Sequence, residues 1–316
     1  MNAIKKIGLS ALAASLVATS VSAVEMSVSG AAALYFTGGD KDVDGNGWTM
    51  NDNIAFSGGG ELDNGWTVTA NFLLDNSDAQ TGGVFDNRQI AINMNDMGTL
   101  SFWGKAGDGV VTATDDKLPN MYEESWYGAD SPNTGAANDD MFYYSNASLV
   151  DGLTVMASYV PSGAGAAATE IESSSDIGAT YSSNGFTFGL ATGEDKGAGS
   201  ASAVENTNMW LTYAYGPVTI GYQSNESDSK VADADEEFTA MVVTYTVSPD
   251  ISISYGTSEI DYQNNAISQE SKSFGASYTM GSMTFSGVHN THENISGLDT
   301  DIADKDVYEI GLAFAF

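Results

Sequence analysis

The chain has 316 residues, with 42 acidic residues against 10 lysines and arginines, a formal net charge of −32 and no cysteine. Such a charge argues against nucleic acid and anionic headgroups as direct partners, because like charges repel. The missing thiol excludes disulfides, thiolate catalysis and cysteine-based zinc sites. Apolar residues make up 42% of the chain but are scattered at alternating positions, alongside 35 glycines, 15 tyrosines and 13 phenylalanines, which is a β composition.

At the start, Lys5 and Lys6 lead into the apolar stretch 7–17 and then Val21-Ser22-Ala23, a small-x-small cleavage site. This pattern predicts a secretory signal peptide over 1–23 and one domain over 24–316. Removing Lys5 and Lys6 leaves 8 basic residues against 42 acids. No later segment approaches the roughly 18 consecutive apolar residues that a spanning helix needs, so entry into a membrane requires strands.

Sixteen strands are expected, joined alternately by short and long connections. The first runs over 26–36, and the second, 53–61, turns at Asp63-Asn64-Gly65 into the third, 66–74. The Asn-Gly pair there is expected to supply the positive φ angles of a hairpin. In the third strand Trp66, Val68, Ala70, Phe72 and Leu74 share one parity, and Thr67, Thr69 and Asn71 the other. Strands over 88–94 and 99–105 flank Asn95-Asp96-Met97-Gly98, and 141–146 and 153–160 flank Asp151-Gly152. Strands over 176–181 and 186–192 flank Asn184-Gly185, and 208–215 and 218–224 flank Gly216-Pro217. The remaining pairs are 238–247 with 251–260 and 273–280 with 283–289, before a last strand over 307–316. That strand puts Tyr308, Ile310, Leu312, Phe314 and Phe316 on one face, and Glu309, Gly311, Ala313 and Ala315 on the other.

One apolar face and one face of Thr, Ser, Asn, Gln and Gly is the pattern of a transmembrane barrel. A soluble sandwich would need an apolar inner face instead. Seven short turns and eight long polar connections return both ends to one side, as an even-stranded antiparallel barrel requires, and sixteen strands leave an aqueous lumen.

The longest connection, 106–140, holds Asp108, Asp115, Asp116, Glu123, Glu124, Asp130, Asp139 and Asp140 against Lys117 alone. Segments of that length inside a compact domain are usually functional. The stretch Gly107-Asp-Gly-Val-Val-Thr-Ala-Thr-Asp-Asp-Lys-Leu-Pro119 lies between Gly98-Thr-Leu-Ser-Phe-Trp-Gly104 and Phe142-Tyr-Tyr-Ser-Asn146. This order resembles the fifth strand, third loop and sixth strand of Gram-negative general diffusion porins. The signal peptide, the strand rhythm and the terminal Phe316 agree with that family over essentially the whole chain.

The resemblance implies an all-β, 16-stranded antiparallel barrel, homotrimeric in the bacterial outer membrane, with the third loop folded into each lumen. It implies a water-filled channel for small hydrophilic solutes, and loop acids facing arginines across a constriction. Asp115, Asp116, Glu123 and Glu124 are the matching carboxylates; Arg88 and Lys105 are the candidate basic partners. Phe316 matches the C-terminal signal read by the barrel-assembly machinery. The basic half is thin, since Arg88 is the only arginine, and it shares parity with Ile90, Ile92 and Met94. Either a bulge turns Arg88 inward or it faces a neighbouring subunit. Excess carboxylate in a lumen predicts cation preference.

Two further patterns stand apart. Asp40, Asp42 and Asp44 before Gly45 are spaced like half a calcium loop, but Asn51 replaces the bidentate glutamate, so an acidic surface loop is the favoured reading. His289 and His292 fall on opposite faces of an extended chain and are read as incidental surface residues. No placed Ser-His pair supports an enzyme, and no cofactor is expected. The alternative class is a barrel acting through its loops, as an adhesin or structural protein, or a membrane-embedded hydrolase.

Overall fold

A computed structural model describes residues 14–15, 25–40, 47–75, 85–105, 107–119, 139–164, 170–196, 203–300 and 303–316. The alternating residues form β1 (Glu25–Gly39), β2 (Trp48–Glu61), β3 (Thr67–Asp75), β4 (Asn87–Asn93), β5 (Thr99–Lys105) and β6 (Met141–Val150). There follow β7 (Leu153–Val160), β8 (Ser174–Ser183), β9 (Phe186–Asp195), β10 (Val204–Tyr215) and β11 (Val218–Ser229). The last five are β12 (Glu236–Ser248), β13 (Ile251–Tyr262), β14 (Gln269–Met280), β15 (Met283–Glu293) and β16 (Lys305–Ala315). Each pairs antiparallel with the next, and β16 pairs with β1, so the sheet closes without an edge. Closure satisfies the backbone polar groups that lipid cannot hydrogen-bond.

The seam is made by the last residue. Phe316 N–H donates to Gly30 O at 2.9 Å and Gly30 N–H donates to Phe316 O at 2.7 Å. Its ring lies over Gly30, where a Cβ would stand 2.7 Å from Phe316 Cε2. Below this point β1 extends past β16, and Ala14–Ser15 pairs with Ser27 and Val28 on that side.

Alternation sets the two faces. Tyr308, Ile310 and Phe314 are exposed on the outside, whereas Val307 and Glu309 are buried inside. Aromatic clusters mark the ends of the outer band: Phe36 lies 5.0 Å from Trp48 and 6.2 Å from Tyr308, between ring centroids, at the loop end. At the turn end Phe186 stacks on Tyr213 at 4.0 Å. These are the girdles expected at two membrane interfaces.

Three sequence expectations need correction. In the turn after β2 only Gly65 has positive φ; the hairpin with both central residues in that region is Asn184-Gly185, at φ 51° and 83°. Several strands also outrun their apolar pattern, β10 beginning at Val204 and β15 ending at Glu293. Apolar alternation stops where lipid stops, but the ladder needs only backbone and continues through Glu205↔Asp228, Glu226↔Glu237 and Glu259↔Glu270. Finally, the inner face is not polar throughout: Phe238, Ala240 and Val242 of β12 and Ile260 of β13 are buried there.

Candidate pore constriction

What covers those inward apolar residues is the start of the longest connection. After β5 the chain enters a 3-10 turn at Thr112–Thr114, and Val110 and Val111 are fully buried. Val110 N–H donates to Ser158 Oγ (3.0 Å) on β7, and Val111 N–H to Asp176 Oδ2 (3.3 Å) on β8. Ser158 Oγ also donates to Asp176 Oδ2 at 2.8 Å, so one carboxylate orients both anchors.

Farther round the wall, Asn208 Nδ2 of β10 donates to Val111 O (2.8 Å) and Thr114 Oγ1 (3.0 Å). Gln223 of β11 grips the segment from both ends of its amide. Its Nε2 donates to Thr114 O (3.1 Å) and Asp115 O (2.6 Å), while its Oε1 accepts from Lys117 N–H (2.7 Å). Asn225, two residues on and therefore on the same face, donates to Asp115 O at 2.6 Å. Leu118 then packs with Phe238, Ala240, Val242 and Ile260.

Two glycines make room for this path. A Cβ at Gly178 would stand 2.7 Å from Val110 Cγ1, and one at Gly221 would stand 2.6 Å from Leu118 Cδ2. Residues 107–119 thus lie against the inward-facing side chains of β7 to β13, held by amides, a hydroxyl, a carboxylate and two apolar contacts. Buried amides of this kind cost free energy unless they are paired, which makes the wall specific for that backbone.

Asp115 and Asp116 fall on this segment and are half-buried, with Asp115 fixed through its carbonyl. Glu123 and Glu124 lie outside the described residues, as do Asp42 and Asp44. Asp40 extends the β1–β16 ladder, its N–H donating to Asp306 O at 2.8 Å and its Oδ2 accepting from Asp306 N–H at 3.2 Å. Among the described residues no group of three His, Cys, Asp or Glu side chains is arranged to hold a metal.

Arg88 pairs with Phe72 on β3 and stays in line with the exposed Ile90, which puts it on the outer face. The bulge lies opposite it, in β5, where Arg88 faces Lys105 but Gln89 faces Trp103, leaving Gly104 as the extra residue. Arg88 Nη2 donates to Gly104 O at 3.0 Å. Lys105 shares that row with Arg88. The histidines do lie on opposite faces, with His289 Nε2 2.6 Å from Asp306 Oδ1 outside. His292 is not a surface residue: it is 1% exposed inside, with Nδ1 2.9 Å from Ser271 Oγ.

Sequence reasoning missed Gln223, Asn225, Gly178, Gly221 and the Phe238 patch. One signal was available: β12 is apolar on both parities, with Phe238, Ala240 and Val242 opposing Met241, Val243 and Tyr245. A strand like that is covered on both faces.

A closed barrel of sixteen strands with an apolar exterior is a bacterial outer-membrane channel protein. The sequence profile of Gram-negative porins matches residues 8–292, and the chain belongs to that family. Comparison with curated proteins returns no match. Among solved structures, the Salmonella typhi OmpF complex with daunomycin superposes with a TM-score of 0.72 at 14% identity, over 93% of this chain and 98% of that one. An engineered variant of the Rh. blastica porin gives 0.67 at 17% identity, over 92% of this chain and 100% of that one. The anion-selective porin from Comamonas acidovorans gives 0.68 at 11% identity, over 92% and 99%. At these identities the likeness is one of fold.

Proposed function

We propose that the chain works as a passive pore for small hydrophilic solutes, preferring cations, in a homotrimer whose third loops narrow the three lumens. The observation that carries this reading is the acidic segment 107–119 lying against the inward face of a closed sixteen-stranded wall. Asp115 and Asp116, with Glu123 and Glu124 farther along the same connection, are the carboxylates that set the preference. Fixed charge acts over roughly 8 to 10 Å at physiological salt, so in a narrowed lumen it enriches cations and excludes anions. An anion-selective porin shares the fold; selectivity therefore belongs to the lining charges, and over the whole of 24–316 acids outnumber bases 42 to 8. Nothing in this transport requires covalent chemistry, and rate follows from radius and field.

In this reading the mature chain is 24–316, the signal peptide having directed export, and Phe316 serves the assembly machinery as well as the seam. Purified protein added to a planar bilayer should give stepwise conductance increments grouped in threes. Inserted protein without conductance would favour a barrel acting only through its loops.

A further inference from the structure

The outer face of β2 carries Trp48, Met50, Ile54 and Phe56 on one parity, and Asp52 stands among them. Trp48 belongs to the upper aromatic cluster. Four residues along a strand tilted by about 40° bring Asp52 about 10 Å below it, inside the apolar band. A carboxylate facing lipid at such a depth is costly, and intramembrane acids usually mark a partner. Asp52 has no hydrogen bond or ion pair among the described residues of its own chain. Around it opens a groove of about 470 Å³, whose lining includes Ala32, Met50, Asp52, Ile54, Asp75 and Phe316.

Arg88 is on the same outer face, and among the described residues its guanidinium meets only Gly104 O. In a chain with 42 acids, its sole arginine has no carboxylate partner within the described residues.

The two charges share a depth. Ala32 faces Phe314 at the foot of β16 on one side and Asp52 high on β2 on the other, so hydrogen-bonded rows climb from β16 through β1 to β2. The row through Phe56, Phe72 and Arg88 continues that climb. It rises about 6 Å over two strands, offsetting most of the distance by which Asp52 stands above Phe56. Asp52 and Arg88 therefore lie within about 4 Å of the same level, roughly 16 Å apart around the wall. That is too far to pair within a protomer. A ring of copies about an axis normal to the membrane joins different parts of one surface at equal depth.

Building on the trimer reading above, we propose that Arg88 of one protomer enters the groove of the next and pairs with Asp52, making the outer face of β1 to β4 the subunit seam. Ala32, with no side chain beyond its Cβ, keeps the face beside the groove low, so a neighbouring backbone can approach closely. The planar guanidinium suits a desolvated carboxylate better than an ammonium would.

Exchange of the charges tests this. Asp52→Arg and Arg88→Asp should each lower the temperature at which trimers separate in detergent, and the double variant should return it toward wild type. Because a reversed charge can impair insertion, a second measurement uses neutral cysteines in this cysteine-free chain. Differently tagged Asp52→Cys and Arg88→Cys chains are co-expressed and treated with a short bis-maleimide. Covalent dimers carrying both tags support the pairing. Wild-type trimers accompanied by unchanged separation temperatures and no mixed dimers overturn the pair while leaving the trimer standing. A monomeric wild type overturns both.

Discussion

Gln223→Leu removes the amide that holds the third connection while keeping side-chain size and the backbone ladder of β11. It deletes the bonds to Thr114 O, Asp115 O and Lys117 N–H, while Asp115 O keeps its bond from Asn225. At about 1 kcal/mol net for each hydrogen bond the segment loses about 3 kcal/mol of attachment. Such a loss raises its detached population roughly a hundredfold. The barrel should still assemble, because the β10–β11 and β11–β12 pairings are made by backbone. Two assays read the effect: single-channel current fluctuations, expected to increase, and protease cleavage within 107–119 in detergent, expected to accelerate. A variant as quiet and as protected as wild type would refute the claim that these side chains fix the segment.

Leu118→Ala should act in the same direction, costing about 2–5 kcal/mol for a buried leucine, and combined with Gln223→Leu it should give current noise beyond either alone. Deleting Phe316 should leave export intact but impair outer-membrane assembly, and Gly30→Leu should do the same through the seam, since even a Cβ there meets the Phe316 ring at 2.7 Å; heat-modifiable mobility on gels reports both. Calcium should leave protease cleavage of the 40–51 loop unchanged, and calcium-dependent protection there would instead support a site at Asp40, Asp42 and Asp44.

The sequence revealed the barrel because lipid imposes a period of two that side-chain chemistry records directly. A strand was expected at each of β1 to β16, most of them as alternation, with β12 apolar on both parities the exception. Strand ends were less visible, since β10 and β15 continue on backbone hydrogen bonds after their apolar residues stop. The path of 107–119 was hidden for a different reason. Its partners Ser158, Asp176, Asn208 and Gln223 come from four strands, and each on its own looks like an ordinary wet residue. Only closure of the sheet brings them onto one surface. Arg88 shows the reverse case: its parity with Ile90 and Ile92 already pointed outward, and the bulge falls in β5, leaving that parity unchanged.

The central claim is an acid-lined aqueous channel, and the reversal potential of purified protein in a planar bilayer under a potassium chloride gradient tests it most directly. The account predicts a potential of the sign set by cations, moving toward zero in Asp115→Asn with Asp116→Asn. A potential of the sign set by anions, or one unmoved by those substitutions, would contradict it.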